Sequence, residues 1–241
     1  MKKLLIIKTG STFDDLVPQI GDFEDWIMEC LGVNRELVHI IDVTTHHEIP
    51  DIHLFSGVII TGSHAMVTDK EEWMVKLCEW IKANYRQAVP ILGICFGHQI
   101  IADSLGGNVD YHKNGIEMGS VQIQLTEAGQ NDLLLSCLPH EFMSYAAHSQ
   151  TVTTLPHGTV VLAYNSFERH HAFRMGRCTW GIQFHPEFNS QAMMAYINRH
   201  KNSVGEKSVE EKINFIAWEE NPSKILLKRF KDLCFNSGGR L

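Results

Sequence analysis

Apolar residues along the chain follow two alternating patterns. Short apolar runs predict buried strands, and in the first hundred residues they are Leu4–Ile7, Leu37–Val43, Phe55–Ile60 and Ile91–Ile94. Between them, apolar residues recur at helical spacing, first as Phe23, Trp26, Ile27 and Cys30 and then as Trp73, Leu77, Trp80 and Ile81. Strands that alternate with helices predict an α/β fold in which a mainly parallel central sheet is flanked by helices.

The second half of the chain has a different pattern. Strand-like runs separated by turns dominate it, and they are Gly119–Leu125, Thr159–Tyr164 and Cys178–Phe184. No linker rich in Pro, Gly or Ser divides the sequence, so residues 1–200 are expected to form one domain. Residues 201–241 predict a helical extension packed on that domain, because a capping-box pattern at Ser208 and Glu211 and the Asn221-Pro222 pair each precede an amphipathic stretch. Alternatively, the extension offers an apolar face to another subunit.

Length and composition suit one compact globular domain. The 241 residues are 44% hydrophobic, which is enough to bury a sizeable core. A net charge of −7 without a basic stripe argues against nucleic acid as a partner. Four apolar residues before Lys8 are too few for a signal peptide, and no apolar run is long enough to span a bilayer. We therefore expect a cytoplasmic protein with no membrane partner.

The cysteines and histidines raise the question of disulfides and metals. Six cysteines without C-x-x-C spacing argue against both a zinc site and a disulfide framework. The fourteen histidines include two adjacent pairs, His46-His47 and His170-His171. Neighbouring residues on a strand point to opposite faces, so neither pair is expected to chelate an ion. We expect solvated histidines, no metal site and no cofactor.

The strongest signal for chemistry is the stretch Val89–Gly107, which reads VPILGICFGHQIIADSLGG. It places Cys95 in a Gly-x-Cys-x-Gly turn between a strand-like run and a helix-like run. Such a turn needs small residues at Gly93 and Gly97, because backbone segments approach closely and the central residue is strained. The sulfur would lie at the amino end of a helix, where N–H groups favour a thiolate. By itself the motif fits either a nucleophile elbow or a tight connection around a buried cysteine.

A second motif, Thr179–Phe188, reads TWGIQFHPEF and favours the catalytic interpretation. Its strand-like run ends at His185, where the following Pro186 disfavours a helix, so the imidazole is expected to project from a strand end. Glu187 is then placed to bond the other ring nitrogen. Cys95, His185 and Glu187 together predict a nucleophile, a base and the acid that orients the base.

The pairing of GICFGHQ with GIQFHPE resembles the class I glutamine amidotransferase family, and the resemblance runs from the first strand to about residue 200. A third motif, VIITGSHAMVT at Val58–Thr68, resembles the family loop that supplies an oxyanion donor, although alone it could be no more than a turn. The resemblance implies a flavodoxin-like fold. It also implies that the N–H groups of Gly62 and Phe96 form the oxyanion hole.

The resemblance further nominates a substrate pocket. Gln99 matches the family glutamine that contacts the amino-acid end of the substrate, although it could instead brace a neighbouring loop. Met118, Gly119 and Ser120 match a strand segment whose backbone runs along bound glutamine, although Gly119 could simply mark a strand bulge. His148 lies in an Ala-His-Ser-Gln stretch where many members have Ser-His-Gly-Asp. That departure leaves it as either a substrate-binding or a structural residue.

The activity implied by the resemblance is hydrolysis of the side-chain amide of glutamine through a γ-glutamyl thioester on Cys95, with release of ammonia. Most family members pass ammonia to a synthetase, and since the sequence lacks a G-x-x-x-x-G-K-[ST] loop, an ATP-dependent synthetase would be a separate subunit. The glutaminase domain of GMP synthase is similar. Stand-alone members of this size resemble γ-glutamyl peptidases that act on glutathione-like substrates, and a regulatory or thiol-sensing relative could also keep the elbow.

Overall fold

The computed structural model describes residues 2–46, 48–200 and 221–236. Its strands are β1 (Lys3–Lys8), β2 (Val38–Asp42), β3 (Phe55–Ile60), β4 (Ile91–Ile94), β5 (Asn108–Tyr111), β6 (Glu117–Leu125), β7 (Glu141–His148), β8 (Gln150–Thr154), β9 (Val160–Tyr164), β10 (Ala172–Met175) and β11 (Thr179–Ile182). Its α-helices are α1 (Val17–Ile20), α2 (Phe23–Leu31), α3 (Glu72–Asn84), α4 (Phe96–Ser104), α5 (Glu127–Gln130), α6 (Ser190–Arg199) and α7 (Ile225–Asn236).

Nine of these strands form one sheet in the order β2-β1-β3-β4-β11-β10-β9-β6-β7, and β5 pairs with β8 separately. The first five strands in this order, from β2 to β11, run parallel to one another. The remaining strands pair antiparallel, which corresponds to the turn-rich pattern of the second half of the sequence. The predicted α/β class with a parallel central sheet and flanking helices is confirmed, and the complete sheet is mixed.

Helices cover both faces of the parallel strands, which explains why those strands are continuous apolar runs. Alternate residues of β1 enter different core layers: Leu4 and Ile6 face one layer, and Leu5 and Ile7 face the other. Helices α2 and α7 contribute to the first layer, and α3 and α4 contribute to the second. The predicted apolar faces of α2 and α3 are therefore core faces, as the helical spacing indicated.

The carboxyl-terminal helix α7 belongs to the first core layer. Its buried residues are Leu226, Leu227, Phe230 and Leu233. It lies so close to β3 that a Cβ placed on Gly57 would be 2.2 Å from the Cys234 sulfur. The other predicted helix of the extension, around Ser208, lies outside the described residues, as does His47. In the part of the chain that is described, no helix is long and apolar enough to cross a membrane.

Candidate active site

Cys95 lies at the sharp turn between β4 and α4, with φ +52° and ψ −101°. Two close backbone approaches require the glycines on either side. A Cβ on Gly93 would be 2.3 Å from the Gly97 carbonyl oxygen, and a Cβ on Gly97 would be 2.4 Å from that of Ile60. Few non-glycine residues adopt such a positive φ, and the strain is held by the packed surroundings. The predicted nucleophile elbow is present.

The elbow is fixed to the neighbouring strand and to the start of its own helix. The Cys95 N–H donates to the carbonyl of Ile182 at the end of β11, over 2.8 Å. Its carbonyl accepts from the Gln99 N–H at 3.1 Å, which closes the first turn of α4. Because β11 is the strand that leads to His185, the first of these bonds ties Cys95 to the strand that leads to the predicted base.

His185 and Glu187 lie three and five residues beyond the end of β11 and form a hydrogen-bonded pair. The Nδ1 atom of His185 is 2.7 Å from Oε1 of Glu187, and both side chains are buried. The His185 N–H donates to the Tyr145 carbonyl at 2.8 Å, and its ring stacks on Phe188 with centroids 4.1 Å apart. With Nδ1 bonded to Glu187, Nε2 is the ring nitrogen left for a proton exchange with Cys95.

The electrostatics of Cys95 and His185 favour a thiolate–imidazolium pair. Burial would raise the pKa of Cys95, but the charge and hydrogen bonding of His185 and the charge of His148 outweigh it, so the pKa lies below the ordinary thiol value. Burial would lower the pKa of His185, but Glu187 and Cys95 raise it to about 10. Each partner therefore stabilises the charged form of the other at neutral pH.

Gly62 lies beside the side chains of Cys95 and His185. A Cβ at this position would be 3.2 Å from Cε1 of His185 and 3.8 Å from Cβ of Cys95. Its preceding carbonyl, that of Thr61, accepts from the Gly97 N–H at 3.2 Å and from the Thr9 hydroxyl at 3.1 Å. Since a trans peptide directs its N–H opposite to its carbonyl, these bonds fix the direction of the Gly62 N–H.

Phe96 supplies the other predicted oxyanion donor. It is the first residue of α4, so its N–H has no carbonyl four residues earlier within the helix. Across the described ranges, the Gly62 and Phe96 N–H groups donate to no other backbone group outside regular elements. Both N–H groups remain available to a ligand.

A cavity of about 280 Å³ opens in front of Cys95. Five of the predicted site residues line it, namely Cys95, Phe96, Gln99, Met118 and His148. Gly119 and Ser120 are not among the residues that line it. Gly119 has φ +116° and pairs with Ala146 in regular register, so it marks a glycine-favouring backbone position and not a bulge.

Gln99 lines the cavity and also braces its wall. Its Nε2 donates to the Gln150 carbonyl at 2.8 Å and lies 3.0 Å from Oε1 of Gln183. The Gln150 side chain in turn accepts from the Val67 N–H and donates to the Thr68 hydroxyl. The bracing alternative is therefore realised, and Gln99 still presents part of its surface to the cavity.

A second buried histidine–carboxylate cluster lies behind the cavity wall, and sequence reasoning missed it. Nε2 of His148 is 2.9 Å from Oε2 of Glu117, and its Nδ1 is 2.9 Å from the Gln150 carbonyl. Nε2 of His171 lies 3.1 Å from the same Glu117 oxygen. The prediction of solvated histidines is wrong for His171, which is fully buried because Glu117 reaches it from β6.

The charges within this cluster are set by Glu117. Burial would raise its pKa, but the hydrogen bond with His148 and the nearby His171 ring hold that pKa well below the usual carboxyl range. Burial would lower the pKa of His148, but the hydrogen bond to Glu117 raises it. The described residues that line the cavity include no Asp, Glu, Lys or Arg, so a charged His148 is a distinctive electrostatic feature of its wall.

The opposite wall of the cavity is aromatic. It is formed by Phe13, His64, Tyr196 and His200. The Tyr196 hydroxyl links two loops, because it is 2.8 Å from Nε2 of His64 and 3.0 Å from the Thr12 hydroxyl. Within the described ranges, no group of three or more His, Cys, Asp or Glu side chains could hold a metal ion.

Residues 17–204 match the family described as glutamine amidotransferase class-I. The match covers most of the chain, and the protein therefore belongs to the class I glutamine amidotransferase family. The resemblance read from the three motifs is confirmed at this level.

Two kinds of relative are similar to the chain. γ-Glutamyl peptidase 5 of Arabidopsis thaliana is 28% identical over 234 residues, which cover 94% of this chain and 87% of the peptidase. The glutamine-hydrolysing GMP synthase of Porphyromonas gingivalis (strain W83) is 34% identical over 189 residues, which cover 78% of this chain. The matched region is 33% of the length of that synthase.

Solved structures share the fold. A glutamine amidotransferase from Thermotoga maritima superposes with a TM-score of 0.76 at 19% identity, covering 98% of this chain and 99% of the other. A glutamine amidotransferase from Methylobacillus flagellatus superposes with a TM-score of 0.75 at 18% identity, covering 98% and 95%. At these identities the likeness concerns the arrangement of strands and helices.

Proposed function

We propose that the protein is a glutaminase of the amidotransferase type, which cleaves the γ-glutamyl amide of glutamine with Cys95 as nucleophile, His185 as base and Glu187 as the orienting acid. The observation that carries the proposal is the juxtaposition at the elbow. A strained cysteine with a lowered pKa faces the cavity, and beside it lies a histidine whose Nδ1 is 2.7 Å from a buried carboxylate. This is the arrangement that nucleophilic acyl transfer requires.

In the first half of the reaction, the Cys95 thiolate adds to the amide carbon of the γ-glutamyl group. The carbonyl oxygen becomes an oxyanion, which the N–H groups of Gly62 and Phe96 stabilise. The proton on Nε2 of His185 then passes to the amide nitrogen, the C–N bond breaks, and ammonia leaves. Glu187 stabilises the imidazolium before the transfer and holds Nε2 toward the sulfur.

In the second half, a water molecule attacks the γ-glutamyl thioester. His185, now neutral, takes a proton from that water through Nε2, and the same N–H pair stabilises the new oxyanion. Collapse of the intermediate breaks the C–S bond and releases glutamate. The Cys95 thiolate and the protonated His185 are thereby restored, so no cofactor is consumed.

Substrate contacts belong to the cavity wall. We assign the amino-acid end of the substrate to the side formed by Gln99, Met118 and His148, with the backbone of Gly119 and Ser120 behind it. Gln99 and Met118 border the cavity directly, which supports contact. His148 has both ring nitrogens engaged, so it would attract a carboxylate by its charge and not by a hydrogen bond.

The destination of ammonia defines the partner. Similarity to GMP synthases, of which the chain spans a third, supports transfer of ammonia to a separate ATP-dependent synthetase subunit. The six cysteines are free, and a catalytic thiol needs a reducing compartment, so we place the activity in the cytoplasm.

A second candidate is γ-glutamyl peptidase activity on glutathione-like substrates. The observation that favours it is coverage, because the alignment with γ-glutamyl peptidase 5 spans 94% of this chain and 87% of the relative. The chemistry is the same, with an α-amine of the leaving peptide in place of ammonia. The aromatic wall of Phe13 and Tyr196 would then lie against the leaving group.

Comparing the purified chain on glutamine and on γ-glutamyl dipeptides or glutathione separates the two candidates. Weak glutaminase activity that rises when an ATP-dependent synthetase fraction is added is expected for an amidotransferase, because partner docking commonly gates ammonia release. A kcat/KM for γ-glutamyl peptides far above that for glutamine would establish the peptidase instead. No turnover of either class, together with no adduct on Cys95 from a glutamine-mimicking chloroketone, would reject both.

A further inference from the structure

Asn221 contacts the catalytic turn from outside the region that matches the family. It lies 17 residues beyond position 204, where the family match ends, and its side chain is buried. Its Nδ2 donates to the His185 carbonyl at 2.7 Å and to the Phe188 carbonyl at 3.1 Å. An amide group carries two N–H donors, so both bonds can form at once.

These two carbonyls are the first and last of the four-residue turn that carries the catalytic base and its acid. Pro186 and Glu187 form the middle of this turn. The Asn221 amide group therefore bridges the two ends of the turn from a distant part of the chain. Without it, two buried carbonyls would lose their partner, which is unfavourable.

The other end of Asn221 is also held. Its Oδ1 accepts from the Ser223 N–H at 3.1 Å and from the Ser223 hydroxyl at 2.8 Å. The Ser223 hydroxyl is 2.8 Å from that of Ser144 on β7. The next residue on that strand, Tyr145, accepts from the His185 N–H. The turn is thus bonded to β7 directly and also by way of Asn221.

We infer that Asn221 is a positioning residue for the catalytic base, and that the carboxyl-terminal segment completes the active site by bridging the two ends of the His185–Phe188 turn. Asn221 touches neither the substrate cavity nor Cys95, so it acts through the backbone that orients His185 and Glu187. The inference rests on the catalytic role of His185 proposed above.

Three variants separate bridging from simple packing. Asn221→Ser keeps a short oxygen that can cap the Ser223 N–H but is too short to span the two carbonyls. Ser223→Ala is the matched control, because it removes hydroxyl bonds to Asn221 and Ser144 and leaves the bridge intact. Asn221→Leu, which fills a similar volume without hydrogen-bonding groups, is a second test of the bridge.

The expected result for both Asn221 variants is a fall in kcat of about 10–10²-fold with KM changed less than about threefold, since a small misplacement of a catalytic group has this effect. The pH midpoint for alkylation of Cys95 by iodoacetamide should also rise by about half a unit or more, because a displaced His185 stabilises the thiolate less well. Ser223→Ala should leave both readouts near wild type. Thermal unfolding of all three shows whether each is folded.

Two outcomes would overturn the inference. In one, the Asn221 variants are folded and keep the wild-type alkylation midpoint and kcat. In the other, Ser223→Ala shifts the midpoint as far as Asn221→Ser does, which would indicate general loosening. Because alkylation needs no substrate, a shifted midpoint in a protein that hydrolyses no γ-glutamyl compound would support the bridge while rejecting the proposed reaction.

Discussion

Two buried histidine–carboxylate pairs flank Cys95, and they differ in how many ring nitrogens are committed. In the His185–Glu187 pair, Nδ1 bonds the carboxylate and Nε2 is left for the nucleophile. In the His148–Glu117 pair, Nε2 bonds the carboxylate and Nδ1 bonds the Gln150 carbonyl. A carbonyl and a carboxylate both accept, so both nitrogens of His148 must carry a proton.

The difference explains how similar residue pairs serve different roles. A histidine with one committed nitrogen can take up and release a proton through the other, which suits a base. A histidine with both nitrogens committed cannot release a proton without losing a buried hydrogen bond, so it acts as a fixed positive charge. In the proposed reaction, the first pair moves protons at Cys95 and the second changes the electrostatic potential there.

The largest expected effect comes from removing the histidine of the His185–Glu187 pair. His185→Ala should lower kcat by about 10⁴-fold or more, because the nucleophile loses its base and its counter-charge together. Steady-state kinetics on the preferred γ-glutamyl substrate measure the loss, with Cys95→Ala as the inactive reference. Retention of more than about one hundredth of the activity would mean that another base serves Cys95.

Altering the acid of the same pair should have a smaller effect. Glu187→Gln keeps a hydrogen-bonding group near Nδ1 but removes the charge that stabilises the imidazolium, so we expect a loss about one to two decades smaller than for His185→Ala. The pKa of His185, raised to about 10 chiefly by Glu187, should fall toward its ordinary value. The alkaline limb of the pH–rate profile should then move to lower pH, and an unmoved limb would contradict the role given to Glu187.

A change in the His148–Glu117 pair should alter the reactivity of the Cys95 thiol more than it alters proton transfer. His148→Gln removes a positive charge near Cys95 and leaves Glu117 ionised, so the pKa of Cys95 should rise by about one unit and kcat should fall about tenfold. The pH dependence of Cys95 alkylation measures the shift. His170→Gln is the matched control, since Nδ1 of His170 also faces a backbone carbonyl, that of Val152 at 2.8 Å. Equal midpoints in both variants would show that His148 has no electrostatic role.

The smallest effect on Cys95 is expected from Glu117→Gln, because the positive and negative charges of the pair are lost together. Its main effect should be on stability, since His148 and Asn165 lose hydrogen bonds to a charged group, each of which contributes about 1.5–3 kcal/mol. The pKa of Glu117 is lowered, so its contribution is present above the ordinary value of 4.5 and is lost as pH falls below that value. Thermal unfolding at several pH values should show the gap from wild type narrowing in acid, and a constant gap would contradict the ionised pair.

Local motifs make the first pair predictable from sequence. Flanking glycines within two residues identify Cys95, and Glu187 lies two residues from His185, so each relationship is contained in one short turn. The predicted strand ends are also close to the observed ones, because β3 has the predicted bounds and β11 lies inside the predicted run. Short-range backbone geometry determines these features.

Long-range contacts cannot be predicted in the same way. Glu117 lies 31 residues from His148, and the two meet because β6 and β7 pair with Glu117 opposite His148. Asn221 lies 36 residues from His185, and only the packing of α7 brings the segment back to the turn. Neither contact leaves a periodic pattern or a motif in the sequence. For the same reason the sequence predicts a solvated His171, although the fold buries that side chain against Glu117.

The environments of the other five cysteines have a practical consequence. Burial raises the pKa of each of them, to about 12 for Cys30 and Cys78 and upward also for Cys137, Cys178 and Cys234, whereas that of Cys95 is lowered. Of the six thiols, Cys95 is therefore the one whose surroundings favour the reactive thiolate form. A thiol probe should thus label Cys95 preferentially in the unaltered chain. The molar ratio of label to protein would then report the fraction of a preparation in which the proposed active site is correctly formed.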